Sequence, residues 1–314
     1  MNVVFHASAG PDLAARLAAI SSETLRISVC PEHQDERLAR LLPETDVLWH
    51  VLKPATAGMI ASAPRLRLIQ KIGVGVNTID LEAAKMRGIP VCNLPGTNAR
   101  AVAEMTLLLM LATLRRLPVL HNAMATGAGF RVDPSLLDGL GELGGRCVGL
   151  VGYGAVPRAL VPMLAALGCR ILYTARAPRA DALADFRTLP DLLSQAEIIS
   201  LHVPLTRETE RMINAAALRR MRRGSVLVNT ARGGLVDQPA LVEALRSGQL
   251  GAAGLDVFDP EPPDANETLL SLPNVVLTPH VAWLTTGTFD RSFALAVENC
   301  RRLAAGETLL HRVA

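Results

Sequence analysis

Val148-Gly149-Leu150-Val151-Gly152-Tyr153-Gly154-Ala155-Val156-Pro157 reads as a short apolar strand, a glycine-rich turn and the opening of a helix. That order is what a dinucleotide-binding βαβ unit requires. Gly152 permits the tight turn and Gly154 lets the backbone approach a pyrophosphate. The amides of Ala155 and Val156 are expected to point at it from the helix N-terminus. Pro157 stands where the pattern has its third glycine. Proline is tolerated in a first helical turn, but it departs from the pattern where glycine lets helix and strand pack closely.

Working outward, short β-rich runs alternate with helical patterns, the signature of parallel α/β sheets. Around the fingerprint, strands are expected at 147–151, 170–174, 197–201, 225–229, 253–256 and 274–277, led in by a helix from Ala99 to about Leu117. An earlier series has strands at Val3 to Phe5, Arg26 to Val29, Val47 to Val51, Leu68 to Ile72 and Pro90 to Cys92. Its helices start near Asp12, Gln34, Ala57 and Asp80, with Asp80 as an N-cap. A last helix, roughly Thr288 to Ala304, has no strand to follow. Gly127-Ala128-Gly129 and Pro260 to Pro263 read as loops too short to separate independent modules.

The chain has 314 residues, enough for two domains. A net charge of +3 is too small to argue for nucleic acid or a membrane surface, and neither is expected as a partner. Cys30, Cys92, Cys147, Cys169 and Cys300 form no CxxC pair or metal-ligand spacing. Reduced thiols in a cytoplasmic protein are expected, and no metal. The apolar run Met105 to Leu114 falls short of the roughly 20 residues a spanning helix needs, so it is expected at a buried or subunit-interface position.

The strand after the fingerprint bears on the cofactor. It leads into Thr174-Ala175-Arg176-Ala177-Pro178-Arg179. NAD-specific sites place an acidic residue here to bind the ribose hydroxyls. Ala175 removes the carboxylate that would repel a 2′-phosphate, and Thr174 and Arg176 can bind that phosphate, with Arg179 nearby. NADP(H) is favoured, with NAD(H) as the alternative.

Three further segments carry chemistry: Asn229-Thr230-Ala231-Arg232-Gly233, Asp256-Val257-Phe258-Asp259-Pro260-Glu261-Pro262 and Leu277-Thr278-Pro279-His280. A guanidinium holds a carboxylate bidentately. A histidine paired with a carboxylate is oriented and can hand a proton to an oxygen. Arg232, Glu261 and His280 all fall at or just after expected carboxyl ends of strands, where open α/β sheets bind ligands.

With Ile72-Gly73-Val74-Gly75-Val76-Asn77-Thr78-Ile79-Asp80, Val91 to Asn98, Ala101 to Glu104, Gly141 to Arg146 and His202-Val203-Pro204-Leu205-Thr206, these segments resemble the D-isomer-specific 2-hydroxyacid dehydrogenase family, in the order that family uses. The pattern is most similar to its NADPH-preferring glyoxylate and hydroxypyruvate reductases. The resemblance implies two doubly wound parallel-sheet domains flanking an interdomain cleft. A flavodoxin-like substrate domain would span 1–95 plus 286–314, and a Rossmann-type cofactor domain 96–285. It implies that Arg232 holds the substrate carboxylate, with the backbone of Val74 and Gly75 on its other side. Trp49, His50 and Leu52 precede a loop expected to face the substrate, and either shape a partly apolar pocket or pack the domain hinge. His280 would be the acid/base next to substrate and cofactor, and Glu261 would support its imidazolium. Asp256 is expected near the nicotinamide, and His202, Val203, Pro204, Thr209, Thr230 and Ala231 along the cofactor groove. His202 is expected to pack or position backbone, not to move protons. Glutamate in place of glutamine at 261 disfavours formate. A small 2-keto or 2-hydroxy acid is the expected substrate, and a homodimer the expected assembly. A corepressor-like nucleotide-binding role and phosphoglycerate dehydrogenase activity remain as alternatives.

Overall fold

The computed structural model describes residues 1–127, 129, 131 and 133–314. They form two compact units, Met1–Asn98 with Thr285–Ala314, and Ala99–Leu284.

In the first unit, β1 (Asn2–His6), β2 (Arg26–Cys30), β3 (Val47–His50), β4 (Leu68–Lys71) and β5 (Val91–Cys92) form a parallel sheet in the order β2-β1-β3-β4-β5. This is the flavodoxin-like order. The strands are short, and β3 and β4 are buried along their whole length, as expected of a sheet covered by helices on both faces. The terminal helix, Thr286–Ala305, belongs to this unit. Thr285 caps it by accepting the Thr288 amide, and Gly306 ends it at φ 69°. Its buried positions Phe289, Phe293, Ala296 and Cys300 follow the spacing of one helix face. Phe293 stacks on Trp49 at 5.6 Å and meets Phe5 edge-on at 6.0 Å. Burying one such aromatic ring is worth about 1.5–3 kcal/mol. Asn299 donates to Gln70 Oε1 at 2.7 Å and accepts from the Leu310 amide at 2.8 Å, so the tail is tied by polar bonds as well.

In the second unit, β6 (Cys147–Val151), β7 (Arg170–Thr174), β8 (Asp185–Phe186), β9 (Ile198–Leu201), β10 (Ser225–Asn229), β11 (Leu250–Leu255) and β12 (Val275–Leu277) form a parallel sheet ordered β12-β11-β10-β9-β6-β7-β8. Counted from β6, this is the dinucleotide-binding order with one strand added at the far edge. The order reverses between β6 and β9, so a ligand is expected outside their carboxyl ends.

Several local expectations are corrected. The helix from Ala99 stops at Leu114, and a second helix runs over Leu117–Ala125. Arg116 takes a left-handed conformation (φ 48°), and Pro118 opens the new helix. A left-handed residue cannot continue a right-handed helix. Strand β8 was not anticipated, because two residues carry no periodicity; it pairs with Leu172 and Tyr173 of β7. Pro157 is buried in the first turn of the helix Ala155–Ala166, among the amides that have no intrahelical partner in any case. The loop expected at Gly127-Ala128-Gly129 has its two glycines at positive φ, while Ala128 lies outside the described residues. Among the described residues, no helix is long and apolar enough to cross a membrane, and no cluster of His, Cys, Asp or Glu is placed to hold a metal ion.

Candidate active site

The fingerprint turn lies at the sheet's switch point. Gly152 has φ 107°, and a Cβ there would sit 2.7 Å from the carbonyl oxygen of His202, just after β9. Gly154 differs. Its φ of −88° is open to any residue, and a Cβ there would meet nothing within 4 Å. Glycine at 152 is therefore demanded by the fold, whereas glycine at 154 keeps space clear in front of the N-terminus of Ala155–Ala166. That space, faced by unpaired amides, fits the pyrophosphate of a dinucleotide. Gly152→Ala is expected to destabilise the protein by about 1–3 kcal/mol through strain and overlap. Gly154→Ala is expected to leave the thermal midpoint unchanged and to weaken dinucleotide binding about tenfold or more, by obstructing anion approach. Differential scanning fluorimetry with and without cofactor separates the two effects.

The loop after β7 is shaped by residues the sequence reading passed over. Tyr153 and Tyr173 pack with ring centroids 4.4 Å apart. The Tyr173 hydroxyl accepts the Arg179 amide at 2.6 Å, and the Tyr153 hydroxyl accepts the Leu183 amide at 3.0 Å. Arg158 grips Asp181 through two bonds of 2.6 and 3.2 Å and lies over the Tyr153 ring. These contacts hold the segment that carries Ala175, Arg176 and Arg179, leaving both arginine side chains exposed and Thr174 half-buried. The tyrosine in Gly152-Tyr153-Gly154 and Tyr173, the penultimate residue of β7, were the available signal.

On the other side of the switch point, His202 has a buried Nε2 with no hydrogen-bond partner among the described residues. Burial pushes its pKa down to about 3, which favours the neutral ring near neutral pH. Thr209 ties its own loop, donating to the Pro204 carbonyl at 2.6 Å and accepting the Thr206 amide at 2.8 Å. The loop bearing Val203 and Pro204 is thereby fixed.

Arg232 follows β10. The buried Asn229 side chain donates to the Arg232 carbonyl at 2.8 Å and accepts the Ala231 amide at 3.0 Å, folding the chain into a turn. Thr230 is anchored to Thr106 at 3.0 Å. A Cβ at Gly233 would fall 1.9 Å from the Phe258 carbonyl oxygen. Only glycine lets this loop lie against the segment after β11 that carries Glu261. Burial draws the Arg232 pKa down, opposed by the Glu261 charge; a guanidinium remains cationic regardless.

His280 Nδ1 meets Glu261 Oε2 at 2.7 Å. The other carboxylate oxygen accepts the Phe258 amide at 2.9 Å. Burial works to raise the Glu261 pKa. The hydrogen bond and charge of His280, the Phe258 amide and Arg232 outweigh it and hold the carboxylate below its usual range. An ionised Glu261 accepts from Nδ1–H, which leaves Nε2 as the nitrogen free to exchange a proton with a ligand. His280 sits at φ 55°, a conformation costly for most side chains, and its amide donates to the Asp256 carbonyl at 2.8 Å.

Asp256, expected near the nicotinamide, directly follows β11. It is 0% exposed. Its carboxylate accepts Thr278 Oγ1 at 2.6 Å and the amides of Val281 and Ala282 at 2.9 Å each. The side chain faces the His280 loop and holds it.

In the first unit, Leu52 is half-buried and Val74 is 42% exposed. Gly73, at φ 151°, accepts the Leu94 amide at 2.8 Å, and the Val74 carbonyl accepts Asn93 Nδ2 at 2.9 Å. The turn through Val74 and Gly75 is thus braced by the segment that follows β5.

A profile of the D-isomer specific 2-hydroxyacid dehydrogenase NAD-binding domain matches residues 107–282. Glyoxylate reductase of Aeropyrum pernix is 37% identical over 87% of this chain and 84% of its own. The chain belongs to the D-isomer specific 2-hydroxyacid dehydrogenase family. Hydroxypyruvate reductase of Thermotoga maritima is 38% identical over 81% of this chain and 84% of its own. The TT0316 protein of Thermus thermophilus superposes with a TM-score of 0.89 at 37% identity, each chain covered completely. As a member of this family the chain is an oxidoreductase that uses a nicotinamide dinucleotide.

Proposed function

We propose that this chain reduces a small 2-keto acid, glyoxylate or hydroxypyruvate, to the D-2-hydroxy acid, with NADPH as the preferred reductant. The observation that carries this reading is the His280–Glu261 bond of 2.7 Å in the same unit as the Arg232 turn. A nicotinamide dinucleotide, when bound, supplies hydride to a carbonyl carbon. Arg232 holds the carboxylate next to that carbonyl through its planar fork. His280 Nε2 donates a proton to the carbonyl oxygen as negative charge develops there, and Glu261 stabilises the imidazolium that donates it. In the reverse direction the neutral imidazole takes the proton back. In the first unit, the amides of Val74 and Gly75 are assigned to anion binding.

The NADPH preference rests on Ala175 in place of an acidic residue and on the exposed Arg176 beside it. A homodimer is supported by Leu108 and Leu111, apolar side chains 51% and 38% exposed on the largely buried helix Ala99–Leu114. Five free cysteines support a reducing compartment, the cytoplasm.

The test is absorbance decay of NADPH and NADH, separately, with glyoxylate, hydroxypyruvate, pyruvate and phenylpyruvate, and an Arg232→Ala protein as the blank. Faster turnover with NADPH, lost in the blank, is expected. Faster turnover with NADH overturns the cofactor assignment alone. Cofactor binding without turnover of any acid overturns the reductase reading in favour of a nucleotide-responsive binding protein.

A further inference from the structure

In the first unit β1, β3 and β4 end side by side, and their last residues are in register: His6 with His50, and His50 with Lys71. Three basic side chains are therefore set at the carboxyl edge of one sheet, none more than 4% exposed. Lysine is almost never buried this deeply without partners. His50 Nε2 lies 2.8 Å from the Lys53 carbonyl. A carbonyl only accepts, so Nε2 carries the hydrogen and Nδ1 is left as an acceptor. That acceptor lies 3.4 Å from Lys71 Nζ, which also donates to the Val51 carbonyl. Burial and the Lys71 charge push the His50 pKa down to about 3, which keeps the ring neutral in this tautomer. His6, the third of the row, makes no bond through its ring nitrogens among the described residues and is no part of the chain of contacts.

The bonds from Lys71 and His50 converge on 51–53, the segment with Leu52 at its centre. On its other side, the Lys53 amide donates to Glu32 Oε1 at 3.1 Å, and Lys53 Nζ binds the Glu32 carbonyl at 2.7 Å and Asp35 at 2.5 Å. Lys71 and His50 also lie against Ile72 and Gly73, which lead into the turn through Val74 and Gly75. The Ile72 amide donates to the His50 carbonyl at 2.8 Å, and Lys71 Cε lies 3.5 Å from where a Cβ on Gly73 would be.

We propose that Lys71 and His50 are positioning residues, a relay that fixes segments 51–53 and 72–76 in the shape that receives the keto acid. This rests on the function proposed above. Packing alone would join the strands with leucines. A buried lysine and a neutral histidine, by contrast, supply directional donors to two loop carbonyls, and such bonds specify a loop's geometry.

The test uses Lys71→Met, His50→Leu and His50→Gln. The glutamine amide reaches where Nε2 stood and keeps the donor to Lys53. Lys71→Met and His50→Leu are expected to raise KM for glyoxylate and hydroxypyruvate about tenfold, the factor that ~1.4 kcal/mol from one lost buried hydrogen bond gives. NADPH affinity should stay unchanged and kcat should change less than KM. His50→Gln should recover most of the loss, and amide hydrogen exchange in 51–53 and 72–76 should speed up in the first two variants only. Unchanged KM and exchange, or equal effects of His50→Leu and His50→Gln accompanied by a lower thermal midpoint, overturn the relay. If the wild-type protein turns over no keto acid, the proposed function fails. The exchange comparison then still decides whether the relay orders the loops.

Discussion

His280→Asn is expected to lower kcat for 2-keto acid reduction by about 10²- to 10⁴-fold, the range for losing a positioned general acid. Asparagine is the informative substitution because His280 sits at φ 55°. Asparagine adopts the left-handed region more readily than most residues, so the loop keeps its course while the imidazole is lost. The backbone bond from residue 280 to the Asp256 carbonyl needs no side chain and should survive. Cofactor affinity and thermal midpoint should therefore stay near wild type, and a stopped-flow trace should show slow turnover from a fully formed complex. A fall in kcat of less than about tenfold would remove His280 from proton transfer. Glu261→Gln supplies the companion measurement. Glu261 is held ionised against the opposing effect of burial, chiefly by His280, and a carboxamide stabilises the imidazolium far less. Reductive kcat should fall in that variant as well, because the imidazolium that donates the proton loses the carboxylate that supports it.

What the sequence made legible follows from distance along the chain. The fingerprint, its strand and its helix lie within twenty residues, and local patterning places all three. The alternation of strands and helices announced parallel sheets, and their doubly wound arrangement was implied by the family resemblance. The three chemistry-bearing segments could be picked out because each carries its own local signal. The contacts that make them a site could not. Gly233 is required by the Phe258 carbonyl, 25 positions away, and Thr230 is anchored by Thr106, 124 positions away. Nothing in Thr278-Pro279-His280 announces that its loop hangs on Asp256. The tyrosines at 153 and 173 have the composition of ordinary core residues, and only their hydroxyl contacts reveal that they shape the loop carrying Arg176. The break at Arg116 escaped because its helix pattern continues through Leu117, whereas the cause lies in one residue's φ and the proline that follows.

Asp256→Ala is expected to have the largest effect on stability, about 3–5 kcal/mol, lowering the thermal midpoint by roughly 10 °C. The carboxylate is 0% exposed and accepts three hydrogen bonds from the His280 loop. Removing it strands the Thr278 hydroxyl and the Val281 and Ala282 amides, each costing about 1–3 kcal/mol if no water replaces the acceptor. The deficit should also depend on pH. Burial raises the Asp256 pKa, against the opposing effects of Thr278, Ala282, Val281 and His280. The folded protein therefore holds this proton more tightly than the unfolded chain does. Stability from that source is fully present below the ordinary aspartate value, about 3.9, and is lost as pH rises through the higher folded value. Alanine abolishes the dependence, so the gap between wild type and variant should be widest in acid and narrow towards neutrality. Chemical denaturation at pH 4 and pH 7 measures it; a gap that widens towards neutrality instead would mean that the folded state favours the ionised carboxylate. Activity should fall together with stability, because Asp256 works through the loop that presents His280. Full activity in the folded fraction of the Asp256→Ala protein would show that the Glu261 bond alone suffices to aim the imidazole.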